Sequence, residues 1–112
     1  MVTTVALFDA YRTLNHASIS GSFAAVGTPF THMTRMVCIT NNTDGDMIFS
    51  TDGVTTMLFV PKNSFKLFDI TTNRQNNAPE WVIQSGTQWY VQQSTAPTMG
   101  DVYVESVYGK GE

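Results

Sequence analysis

The chain has 112 residues, a single cysteine, a net charge of −3 at pH 7 and only 13% charged residues. That length fits one domain whose core needs neither a disulfide framework nor a metal, and a lone thiol excludes an internal disulfide. The six basic residues are scattered rather than striped, which argues against tracking a nucleic-acid backbone, and no stretch is apolar for long enough to span a membrane. Ordinary soluble domains carry about 25% charged residues. This surface therefore rests on Thr, Asn, Gln and Ser, which suits a protein partly covered by other protein. The opening "MVTTVALFDAYR" has an early Asp and too few apolar residues for a secretion signal, so folding in a cytoplasm is expected.

The first predicted element, "VTTVALFDAY", is β-prone and apolar but has no assured partner strand. Residues 1–17 are expected either as an arm that orders on docking or as the first strand of a β-sandwich domain over 18–112. Val5, Leu7, Phe8 and Tyr11 would be the contact residues of such an arm. Beyond it, turn-formers punctuate the chain: "SISGS" at 18–22, "GTP" at 27–29, "NNTDGD" at 41–46 and "TDG" at 51–53. "PKNS" at 61–64, "TTNRQNNAP" at 71–79, "SGT" at 85–87 and "STAPTMGD" at 94–101 continue the series. The short runs between them are rich in Val, Ile, Phe, Tyr, Trp and Thr. This is the pattern of an all-β, antiparallel, jelly-roll-like sandwich of about seven or eight short strands. No sustained 3.6-residue apolar period predicts a long helix.

Turn chemistry proposes three hairpins. Lys62-Asn63 would set Val60 opposite Phe65 and Leu58 opposite Leu67, leaving Met57, Phe59, Phe68 and Ile70 on the other face. Ser85-Gly86 would pair Val82 with Trp89 and Trp81 with Tyr90. A turn at Asp44-Gly45 would align Val37, Ile39 and Ile48 on one side, with Met36, Cys38, Met47 and Phe49 on the other. Half-buried strands should alternate apolar with polar. Two of these hairpins are apolar on both sides, so the second side is expected under loops of this chain or against another chain.

Several chemical readings fail on spacing. A helix-flanked calcium loop with Gly45 in sixth place would have Thr40 first and Thr51 twelfth, neither a carboxylate. A looser cation site of Asp44, Asp46 and Asp52 is the alternative to a pair of turns. Asn41-Asn42-Thr43 fits a glycosylation acceptor but lacks a secretion signal. His16 and His32 have no ligand partners at metal spacing, and Cys38, between Val37 and Ile39, reads as a small buried hydrophobe. No nucleophile–base pair or phosphate loop is visible, so neither an enzyme nor a cofactor is expected. A carbohydrate-binding module would use Trp81, Trp89 and Tyr90 as a stacking platform, with Asn73, Gln75, Asn76 and Asn77 as hydrogen-bonders; it requires an exposed Trp.

The block "MVCITNNTDGDMIFSTDGVTTMLFVPKNSFKLFDITTNR" resembles small virion proteins of tailed bacteriophages. Their pattern is "I-x-N-N-T-D-x-D-x-x-F-S-x-D-G", then an apolar strand, "V-P-x-x-S-F" and "L-Y/F-D". Ile39, Asn41, Asn42, Thr43, Asp44, Asp46, Phe49, Ser50, Asp52 and Gly53 match its first part. Val60, Pro61, Ser64 and Phe65 match the second, and Leu67, Phe68 and Asp69 the third. The likeness covers about 18–109. It implies a β-sandwich or jelly-roll subunit of the virion, made in the host cytoplasm, with no catalytic or cofactor residues. The expected role is a capsid decoration or cement protein, a homo-oligomer in the particle that clamps the major capsid protein. A minor head–tail connector or tail component is the alternative. Expected contacts are the N-terminal segment and the 71–80 loop, through Asn73, Arg74, Asn76 and Asn77.

Overall fold

The computed structural model describes residues 5–70 and 82–111. Nine strands run in chain order: β1 Ala6–Phe8, β2 Arg12–Asn15, β3 Ala24–Ala25, β4 Thr34–Thr43, β5 Met47–Ser50, β6 Leu58–Val60, β7 Ser64–Asp69, β8 Tyr90–Gln93 and β9 Gly100–Gly109. Among the described residues the only helical piece is a 3-10 turn, His16–Ser18, capped by the Asn15 side chain. One sheet has the order β1-β9-β4-β7 with β2 also on β9, and the other has β3-β8-β5-β6. Both are antiparallel.

With β1 and β2 taken as one interrupted edge strand, the pairing is first with last, second with seventh, third with sixth and fourth with fifth. A long two-stranded ribbon rolled onto itself gives this order, which is the jelly-roll form of the β-sandwich. Its logic is period-two alternation. In β9, Val102, Val104 and Ser106 face inward while Tyr103, Glu105 and Val107 face out; in β4, Val37, Ile39, Asn41 and Thr43 are buried. Met47 and Phe49 of β5, Val60 of β6 and Val91 of β8 meet them from the second sheet, all fully buried. Each such side chain contributes about 1.5–3 kcal/mol of burial free energy.

All three predicted turns form, but none closes a hairpin. Lys62-Asn63 is a turn, with Asn63 at φ 54°, yet β6 pairs with β5 while β7 pairs with β4. The chain crosses from one sheet to the other there, and again between β4 and β5 at Asp44-Gly45. Ser85-Gly86 also turns, but its flanks bond elsewhere: Ile83 bridges Thr34, and Phe30 exchanges backbone hydrogen bonds with Gly86 and Thr87. Among the described residues the one hairpin between consecutive sandwich strands is β5–β6, tipped by "TDG". Crossing between sheets reverses the predicted faces, because a residue that would lie opposite its neighbour across a hairpin lies across the core instead. Val37, Ile39, Met47 and Phe49 therefore all point inward.

The β4–β5 crossover is held by a buried amide. Asn41 Nδ2 donates to the carbonyls of Gly45 (2.8 Å), Val60 (3.0 Å) and Pro61 (3.2 Å), and its Oδ1 accepts from the Thr43 N–H and hydroxyl. One side chain on the first sheet thus ties together two crossovers to the second. Gly45 is required here by space: a Cβ would sit 2.4 Å from the Thr95 carbonyl oxygen. "NNTDGD" is a corner of the roll.

The described N-terminal residues lie in the sheet edge. Ala6–Phe8 pairs with Gly109–Val107, and Arg12–Asn15 with Val104–Asp101. Arg12 anchors the break between them. Its guanidinium donates to the carbonyls of Thr28 (2.6 Å) and Pro29 (3.0 Å), pairs with Asp9 (3.2 Å) and stacks over Phe30.

Candidate protein-binding face

Outward residues of the first sheet fall in four rows by register, a polar one of Asn42, Asp101 and Asn15 at one end and three beside it. Phe65, Thr40, Tyr103 and Thr13 form one; Leu67, Cys38 and Glu105 the second; Asp69, Met36, Val107 and Phe8 the third. Tyr11, in the bend between β1 and β2, sits at the open end of the middle row, its ring edge-on to Tyr103 at 5.8 Å. This face is largely apolar and largely bare. Phe8 is 83% exposed, Tyr11 63%, Phe65 63% and Leu67 56%. A shallow depression of about 440 Å³ crosses its middle, with Tyr11, Met36, Cys38, Leu67 and Glu105 in its lining.

Large apolar side chains in water on one contiguous sheet face mark an interaction surface. The side chains are also held in place. Arg12 fixes the bend that carries Tyr11, and the Tyr103 hydroxyl leans on Asp101 at 3.4 Å. Desolvation raises the Tyr103 phenol above its ordinary 10.0, and the Asp101 carboxylate adds to the effect. A surface ordered before docking loses less side-chain entropy on docking.

Of the residues expected to make contacts, Phe8 and Tyr11 lie on this face. Leu7 takes the alternate position opposite Tyr108, and Val5 stands exposed at the edge, its carbonyl accepting the Lys110 N–H. Asn73, Arg74, Asn76 and Asn77 lie outside the described residues. Met36 with Cys38 and Phe65 with Leu67 were read as sharing sides, with one side of each hairpin, left unspecified, expected against loops or another chain; Tyr103, Glu105 and Val107 were not foreseen as a surface. The alternation in "SFKL" and "YVESV" carries their signal, but the hairpin register gave the first the wrong partner and left the second without one. Cys38 is half-buried on this face, not in the core, because Val37 and Ile39 take the inward positions.

The three carboxylates of the looser cation reading are each engaged separately. Asp44 accepts from the Thr98 hydroxyl and N–H, and Asp46 from the Lys62 N–H at 2.9 Å. Asp52 accepts from the Thr55 hydroxyl and N–H (both 2.7 Å), the Ser50 hydroxyl and the Val54 N–H. Those donors hold the Asp44 and Asp52 carboxyls below the ordinary 3.8, Thr98 acting most on the first and Thr55 on the second. Among the described residues no three His, Cys, Asp or Glu side chains converge on a point that could hold a metal ion.

His16 Nδ1 meets the Gly100 carbonyl at 3.1 Å, and the His32 ring stacks on Tyr108. The proposed sugar platform loses Trp89, which is packed into the core with only 6% of its surface exposed. Trp81 lies outside the described residues. No family model, no curated protein and no solved structure matches this chain.

Proposed function

We propose that this chain is a structural subunit of a tailed-bacteriophage particle, a capsid decoration or cement protein that docks on assembled capsid subunits through the outer face of its β1-β9-β4-β7 sheet. The observation that carries the docking role is that bare, apolar face on an otherwise weakly charged molecule. The virion assignment draws on the resemblance of the central block. The jelly roll is compatible with it, being a fold that capsid proteins and lectins both use, and a fold alone selects neither.

Four strands about 4.8 Å apart and five residues at a rise of about 3.3 Å give the face a footprint of roughly 300 Å². A standard interface takes about 800 Å² from each partner. The face therefore acts as the centre of a contact whose remainder comes from flanking segments, the N-terminal residues first among them. A subunit that binds only the assembled lattice stabilises it by mass action, by about 2.7 kcal/mol per site at 100 times its dissociation constant. Many copies multiply that effect over a capsid.

Quantitative mass spectrometry of purified particles, against the major capsid protein, tests this reading. Copies in the hundreds are expected for a decoration protein. A ring-sized number, about six or twelve, would assign the chain to a connector or tail instead. Its absence from the particle would overturn the virion role.

A further inference from the structure

We infer that the notch between Tyr11, Tyr103 and Glu105 seats a basic side chain, arginine or lysine, of the protein on which this face docks. The inference deepens the docking reading and rests on it.

Glu105 is the charge at the centre of the face. It lies in register with Cys38 on β4, two residues along β9 from Tyr103 on one side and Val107 on the other. It is exposed, and among the described residues no cation pairs with it. The nearest basic group along the edge strand, Arg12, turns inward onto Thr28, Pro29 and Phe30 and is satisfied there by Asp9. A partner closing over this sheet strips water from the Glu105 carboxylate. That step opposes binding strongly unless the partner brings a positive charge. Charge complementarity thus specifies the occupant: an apolar protein surface with a cation at its middle.

The shape of the site selects the same chemistry. Tyr11, Tyr103 and Glu105 alone line a hollow of about 290 Å³. The two rings meet edge to face at 66°, so the carboxylate borders a hollow walled by aromatic rings. An aromatic face attracts a cation through its quadrupole, and a carboxylate accepts its N–H groups; together they suit a guanidinium or ammonium on an alkyl stem. The stem would lie along the apolar residues of the neighbouring rows.

Titration of the ¹⁵N-labelled full chain with the peptide acetyl-Val-Arg-Leu-amide tests the notch directly. Its amide shifts are expected to cluster on Tyr11, Tyr103 and Glu105. Binding should weaken about ten-fold in Glu105→Gln, and by the same factor when Gln replaces Arg in the peptide. No shift at these residues up to millimolar peptide, or equal binding by Glu105→Gln, would overturn the proposal. Thermal unfolding checks that the exposed substitution leaves the fold intact.

A second arm separates the two readings. Wild-type chain missing from purified particles defeats the docking role, and the peptide titration then decides the notch alone. Wild type present with Glu105→Lys at full copy number defeats the notch and leaves the docking role standing. Loss of Glu105→Lys from particles that retain wild type is the expected result.

Discussion

Asn41 is fully buried, and all of its hydrogen-bonding atoms are used. Removing it takes the donor from the Val60 carbonyl and the acceptor from the Thr43 N–H, while the Thr43 hydroxyl and the Gly45 carbonyl keep each other at 2.9 Å, so Asn41→Ala is expected to destabilise the domain by about 3 kcal/mol in urea unfolding. Asn41→Asp should be worse at neutral pH, because it points acceptor oxygens at carbonyls that need a donor. Equal stability of both variants with wild type would show that the corner is held by packing alone. Asp52 works in the opposite environment, exposed and surrounded by donors. Its depressed pKa means that its contribution is complete above the ordinary 3.8 and is lost as pH falls below that value toward the folded-state pKa. Asp52→Asn should therefore be less stable than wild type at neutral pH, and the gap should close as an unfolding series is carried below 3.8. A constant gap across that range would mean that the carboxylate charge plays no part in holding the β5–β6 loop.

At the scale of elements, the local chemistry of turns was legible and their destinations were not. Lys62-Asn63, Ser85-Gly86 and Asp44-Gly45 change the chain's direction where turn propensity places them, yet two of the three carry it across the core. Propensity reports that the backbone reverses; whether it returns to the same sheet depends on long-range pairs such as β4 with β9, which leave no local signature. The antiparallel sandwich was readable because alternation survives either outcome. The apolar outer face was half readable: Phe8 and Tyr11 announced themselves, while Met36, Leu67 and Val107 needed the true register. The edges show a related economy. Lys66, opposite Ile39 on the inward side of edge strand β7 and exposed there, discourages another strand from adding to that edge. At the other edge, β1 forms only a three-residue ladder, while Arg12 holds β2 independently. Deleting residues 2–8 is expected to leave a cooperatively folded domain, destabilised by about 1–2 kcal/mol, that no longer attaches to the particle. Global unfolding of the truncated chain would make β1 part of the core instead.

At the scale of the molecule, the two sheets of the described residues each present an outer surface, and the two differ in chemistry. The second sheet's outward positions mix Ile48 and Phe59 with Tyr90 and Gln92, whereas the first sheet presents Phe8, Tyr11, Met36, Phe65, Leu67 and Val107 around Glu105, with the carboxylates of Asp69 and Asp101 toward its margins. The proposed docking through the first sheet would remove its side chains from water, and the chain's only cysteine lies at the centre of that surface. Cys38 Sγ contacts the Thr40 hydroxyl at 3.8 Å and is otherwise half open to solvent, so it should react with iodoacetamide in the free protein. In assembled particles the partner would cover it, and alkylation is expected to slow at least about ten-fold, the factor by which a contact stabilised by about 1.4 kcal/mol excludes the open state. Mass spectrometry of the Cys38 peptide before and after assembly measures this without altering a residue. A thiol that reacts as fast in the particle as in solution would move the contact to the second sheet or to the β5–β6 tip, where Val54 is 81% exposed. Protection of Cys38 together with continued exposure of Val54 would fix which way the subunit faces on the lattice, since Cys38 lies on the outer side of the first sheet and Val54 in the loop that joins β5 to β6 of the second.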